Sequence, residues 1–170
     1  MINRPKPNEY SAYAETYVSK VPQGADVMEL LEELQTSTYN LFSNMAEEKA
    51  AHTYAEGKWT IKQVLGHMID TERVFAFRAL CFSRENAILP GFDQDIYVNN
   101  TDFNSRTIQS LAAELRATRE SNLYLFGSFN EDQLNRIGIA NDNPVSVKAL
   151  VYMTAGHELH HLKIIKEKYL

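Results

Sequence analysis

The chain holds one cysteine, five prolines and seven glycines among 170 residues. A lone thiol, Cys81, cannot close an internal disulfide. Its place in the apolar run VFAFRALCF reads as packing rather than nucleophilic chemistry. That count fits a reducing compartment, and the N-terminal segment lacks a signal-peptide shape, so the protein is expected to be cytoplasmic. No apolar run is long enough to span a bilayer, which argues against a membrane partner. So few turn-forming residues disfavour an all-β architecture. Basic charge is also short: 17 Lys and Arg stand against 22 Asp and Glu, a net charge of -5. These cations are scattered, whereas a phosphate backbone needs them concentrated, so no nucleic-acid partner is expected. The one basic cluster, Lys163, Lys166 and Lys168, sits where it complements a helix C-terminus. Neither a glycine-rich phosphate loop nor a G-x-S-x-G nucleophile turn is present.

What is there is a hydrophobic content of 44% and a length that suits one domain over 1–170 with a good core. Residues 1–25 read as an N-terminal arm, in which Tyr10, Tyr13 and Tyr17 are spaced so that a short helix lays them on the body. From residue 26 the apolar pattern has a helical period. A first helix over Asp26–Ala46, with Asp26 and Glu29 as a capping-box-like start, carries Val27, Leu30, Leu31, Leu34, Leu41, Phe42 and Met45, and a polar loop over 47–58 follows. A second starts at Thr60, where Gln63 completes a capping box, and runs to about Phe82 with Ile61, Val64, Leu65, Met68, Phe75 and Leu80 inward. Residues 83–106 are predicted to be irregular. A third helix spans Thr107–Phe126, Asn130 and Gln133 suggest an extra turn, and residues 141–144 break the pattern. The last helix starts at Ser146 and runs to the C-terminus. The fold is therefore all-α: a four-helix bundle with a long crossover between the second and third helices.

Three histidines carry the chemistry. The last helix presents a seam of Val147, Leu150, Thr154, His157, His161 and Ile164, apolar except for three consecutive polar residues. Burying unpaired imidazoles costs free energy, and a metal ion would satisfy both rings. Histidines four apart on a helix differ by roughly 40° in direction and 6 Å in height, so both reach one point. His67, on the edge of the second helix's apolar face, can supply a third nitrogen and leave a coordination position open, as in catalytic rather than structural sites. His160 is turned about 100° away and is not counted as a ligand; His52 falls in the polar loop. Asp70, one turn after His67, can orient a histidine or pair with Arg73. His157, Glu158 and His161 also satisfy H-E-x-x-H, which offers Glu158 as a general base. The irregular crossover is expected to approach the open position, with Asp93 and Tyr97 its polar candidates.

Three stretches together resemble the DinB/YfiT-like metalloenzyme superfamily: WTIKQVLGHMIDTER from Trp59 to Arg73, LPGFD from Leu89 to Asp93, and GHELHH from Gly156 to His161. The arm from Tyr10 to Gln23 is similar to the family's opening segment. The resemblance covers nearly the whole chain. It implies a four-helix bundle whose three histidines hold a divalent metal, often nickel or zinc, and it carries the ligand role onto His67, His157 and His161. Some relatives are S-transferases dependent on bacillithiol, mycothiol or glutathione, and others are called metal-dependent hydrolases. Homodimers are common among them.

Three readings follow. The first is thiol transfer to a small-molecule substrate, with the metal binding a low-molecular-weight thiol as thiolate. The second is hydrolysis, with Glu158 or Asp70 as base for a metal-bound water. The third is a non-catalytic dimeric binding bundle, whose histidines hydrogen-bond one another. In the first two, metal affinity is expected to fall below about pH 6, where free imidazole takes up a proton.

Overall fold

Four long helices make the body of the computed structural model, which describes residues 1–170. They are α1 (Val27–Ser43), α2 (Ile61–Arg84), α3 (Ile108–Gly127) and α4 (Val147–Ile164). Each begins on a polar cap that satisfies an otherwise orphaned N–H. The Asp26 carboxylate accepts from the Met28 N–H at 2.9 Å, the Thr107 hydroxyl from Ser110 at 3.1 Å, and the Ser146 hydroxyl from Ala149 at 3.1 Å. Thr60 and Gln63 form the full capping box. Asp26 caps without Glu29, so no box forms at α1. Of the expected stripe on α1, Val27, Leu31, Leu34, Phe42 and Met45 are buried and Leu30 and Leu41 are partly so; on α2, Leu80 turns out to solvent. No helix is long and apolar enough to cross a membrane.

Polar contacts along the bundle give the helix directions. The pairs Gln35–Arg116 and Ser43–Gln109 set α1 antiparallel to α3. Lys62–Asn104 and Arg73–Glu114 set α2 parallel to α3. His67–His157 and Trp59–Tyr169 set α2 antiparallel to α4. A parallel α2–α3 pair requires the chain to return the length of the bundle, which is what the crossover does. The crossover is less irregular than the sequence suggests. It contains strand β1 (Ile88–Leu89), a short helix over Gln94–Asn99 and a 3-10 turn over Phe103–Ser105.

The break at 141–144 is a hairpin turn. Strands β2 (Ile137–Ala140) and β3 (Asn143–Ser146) pair antiparallel, and β1 adds in parallel to β2. Asn141 and Asp142 have φ values of 50° and 59°, the left-handed pair that a two-residue hairpin needs and that Asn and Asp tolerate best after glycine. This small sheet ties the crossover to the N-terminal end of α4. The arm docks on α4 from the other side. Gly156 makes that possible, because a Cβ there would lie 2.0 Å from the Tyr17 carbonyl oxygen.

Candidate metal centre

The three histidines meet in the middle of the α2–α4 interface. His67 comes from the second turn of α2, and His157 and His161 from the C-terminal half of α4. The Nε2 atoms of His67 and His157 are 3.0 Å apart, those of His161 and His157 are 3.1 Å apart, and the donor set lies within 4.8 Å. With metal–nitrogen bonds of about 2.0–2.1 Å, neighbouring donors on one face of an ion sit roughly 3 Å apart. The donor set therefore fits a divalent ion. The alternative, histidines satisfying one another, fits poorly. The Nε2 atom of a neutral imidazole offers either one proton or one lone pair, yet that of His157 faces two ring nitrogens at once.

Burial keeps the rings neutral. Desolvation, with the neighbouring histidines adding to it, pushes His67 down to about 4 and His161 down to about 3, and holds His157 well below the usual histidine range. Neutral imidazole is the ligating form. Because the folded site resists protonation, the acid limb of metal binding moves below the pH of about 6 expected from free imidazole. The same shifts tie stability to pH. The unfolded chain takes up protons near 6.5 while the folded site does not, so stability is full above that value and is lost as the pH falls toward 4. For His67 alone the loss is about 3 kcal/mol. The metal-free protein should show a falling unfolding midpoint between pH 6.5 and 5, where carboxylates contribute little, and a divalent ion should raise the midpoint across this window without changing its slope. A midpoint independent of pH in this window would mean that the rings are solvated.

Aromatic rings wall the centre. Trp59 lies 5.1 Å from the His67 ring, and Tyr17 of the arm lies 5.2 Å from His157 and 5.6 Å from His160. His160 is thus spent on the arm and is no ligand. The Thr71 hydroxyl stands 3.4 Å from His67 Nδ1, the one protein group that orients that ring. Thr154 donates to the Leu150 carbonyl at 2.9 Å, so its place on the seam serves the helix.

Both acidic candidates are engaged elsewhere. Glu158 is buried between helices, where its carboxylate accepts from the Thr38 hydroxyl and the Arg119 guanidinium. Arg119 also grips Glu72 through two hydrogen bonds of 2.8 Å and donates to the Leu31 carbonyl. All four helices thus contribute to a single buried network. Glu158 points to α1 and α3 because it is one residue, about 100°, beyond His157. Asp70 is half-buried and 3.7 Å from Arg73. Burial raises its pKa, Arg73 opposes the shift, and nearby Glu114 adds to it. It faces α3, and its partner is the arginine rather than a histidine.

A cavity of about 260 Å³ opens on His67 and His157. Its walls come from the arm (Tyr13, Tyr17), α2 (Thr71, Phe75, Arg78), the crossover (Phe92, Gln94) and the hairpin (Asn141, Asn143). The crossover therefore does reach the site, though through Phe92 and Gln94. Asp93 is exposed and caps the Gln94–Asn99 helix. Tyr97 packs its ring 5.3 Å from Phe92 and is 43% exposed. Sequence reasoning missed Thr71 and Arg78, although His67, Thr71, Phe75 and Arg78 follow one another at spacings of four, four and three along a single face of α2.

Known proteins share the fold. The chain is similar to a protein of Oceanobacillus iheyensis named "Putative metal-dependent hydrolase", with 29% identity over 146 residues, 83% of this chain and 84% of that one. Its fold is similar to that of YfiT from Bacillus subtilis, described as a "probable metal-dependent hydrolase" with an unusual four-helix bundle topology. The TM-score is 0.74 at 18% identity, covering 86% of this chain and 89% of the other. The DinB superfamily model matches residues 30–165, a span that takes in most of α1, the other three long helices and all three histidines, and the chain belongs to the DinB superfamily.

Proposed function

We propose that the chain is a divalent-metal-dependent enzyme that acts on a small molecule admitted through the cavity. The observation that carries this reading is the convergence of three neutral Nε2 atoms, two of them at the cavity floor. An ion held there would supply Lewis acidity to an atom entering from the cavity. The protein's part is to hold the three rings by packing, to exclude water with Tyr17, Trp59 and Phe75, and to admit the substrate between crossover and hairpin.

Thiol transfer is the leading reaction. Free water ionises at a pKa of about 15.7 and a free thiol at about 8.5, so water leans more on a nearby base, and Glu158 and Asp70 are committed to Arg119 and Arg73. The Tyr17 hydroxyl is 3.0 Å from that of Tyr13, and burial raises its pKa, so it is no base. A low-molecular-weight thiol bound by the ion would release its proton to solvent at neutral pH without such a group. Hydrolysis stands second, on the name of the Oceanobacillus relative. Zinc or nickel are the ions proposed, since three imidazoles suit both. Untagged protein should retain a divalent ion near one equivalent. With it loaded, consumption of an electrophile such as 1-chloro-2,4-dinitrobenzene should depend on added thiol. Hydrolysis of a nitrophenyl ester without thiol turnover would reverse the order of the two reactions, and failure to bind an ion would remove both.

A further inference from the structure

Arg78 is buried, at 8% exposure, in the wall of the cavity that holds the histidines. Arg73, Arg106 and Arg119 all pair with carboxylates, whereas no carboxylate pairs with Arg78. Its guanidinium donates to the Pro90 carbonyl at 2.8 Å and lies 5.8 Å over the Phe92 ring. A guanidinium has five N–H donors, and no fully enclosed polar atom of the protein lacks a partner. The remaining donors of Arg78 are therefore not enclosed by protein, and Arg78 is part of the wall of this cavity. Burial pulls its pKa down, with Tyr97 opposing, as expected of a cation whose charge nothing inside the protein balances.

We infer that Arg78 is the anion-binding end of this cavity, and that the substrate carries a carboxylate or similar compact oxyanion which pairs with its guanidinium. This rests on the proposed enzyme reading, because it assumes that the reacting end of the same molecule lies at the histidines. Arg78 and His67 share one face of α2. Their Cα atoms are roughly 16 Å apart at 1.5 Å per residue, and the arginine leans toward the helix N-terminus, which shortens the span. Thr71 and Phe75 lie between them, so the substrate has an anionic end, an apolar middle and a reactive end. A cavity of about 260 Å³ limits it to a small molecule. The bland role for Arg78, pinning the crossover at Pro90, needs one neutral donor and leaves the charge unexplained.

The test uses metal-free protein, so that a carboxylate cannot bind an ion instead. Calorimetry would compare 3-phenylpropionate with the neutral 3-phenylpropionamide, and the arginine Nε–H signals would be followed by NMR. Hydrogen bonds to a charged group are worth about 1.5–3 kcal/mol, so the acid should bind about ten- to hundredfold more tightly and shift the Arg78 signal. Arg78→Met should erase that preference without changing amide binding, and Arg78→Lys should keep part of it. Equal binding of acid and amide, no binding of the acid at millimolar concentration, or a full preference in Arg78→Met would each overturn the inference. If Arg78→Met fails to fold, the wild-type comparison and Arg78→Lys decide it. Titration of the same preparation with zinc separates the two readings. Loss of anion preference in a protein that binds zinc sinks only the role of Arg78, whereas anion preference without zinc binding sinks only the metal enzyme.

Discussion

Replacing His157 with alanine is expected to abolish tight binding of a divalent ion and leave the bundle folded. His157 is the middle donor, 3.0 and 3.1 Å from its two neighbours, so its loss leaves two rings that do not close a face. Structural zinc sites with four donors are worth about 10–16 kcal/mol, roughly 2.5–4 kcal/mol for each donor, so affinity should fall about seventy- to nearly a thousandfold. His67→Ala and His161→Ala should behave alike, and His160→Ala should bind as the wild type does. The core of forty buried apolar residues does not depend on the ion, so chelated protein should keep its helical circular dichroism. Adding metal should raise the unfolding midpoint by mass action. Metal retained by His157→Ala but lost from His160→Ala would show that the helical phase of α4 is other than described. Complete unfolding on chelation would make the ion structural.

The second large effect lies in the network behind the site. Arg119→Met should destabilise the protein by about 3–5 kcal/mol, the usual cost of removing one partner from a buried ion pair. For a domain of this length that lowers the unfolding temperature by roughly 6–20 °C. Arg119 is 1% exposed, and Glu72 and Glu158 are 4% and 3% exposed. Removing the guanidinium leaves two carboxyl groups enclosed with Thr38 and Asn122 as their remaining partners. Adding Glu72→Gln and Glu158→Met to Arg119→Met should restore much of the loss, since apolar or neutral replacements of a whole buried ionic cluster are often tolerated. Thermal unfolding of the single and triple variants checks both statements. A single variant as stable as the wild type would mean that water reaches the carboxylates.

The sequence made the bundle legible because its evidence is local and periodic. Apolar residues at helical spacing marked all four helices, and Asp26, Thr60, Thr107 and Ser146 marked their starts. The candidate donors on α4 were legible for the same reason: Thr154, His157 and His161 interrupt an apolar seam. The same rule, applied to α3, would have found Arg119. It follows Leu111 and Leu115 on the buried stripe and precedes Asn122 and Phe126. A polar residue on a core stripe requires a partner, but sequence alone does not say from which helix. Hence Glu158 was read as a base because it adjoins a ligand, when its direction on the helix sends it to Arg119. The hairpin was hidden because β2 and β3 have four residues each, too few for alternation to stand out. Asn-Asp at 141–142 signalled a turn without revealing what it joins.

The order in which the chain supplies the centre bears on how the cell would load it. The arm that walls the cavity emerges first from the ribosome, His67 follows at the start of α2, and His157 and His161 arrive only with the final helix. At synthesis rates of about 5–20 residues per second, several seconds separate the first ligand from the other two. During that time the nascent chain presents a single imidazole, which competes weakly for any cellular ion. On the proposed metal reading, loading would wait until α4 has been made, and a product truncated before α4 would offer only one of the three donors.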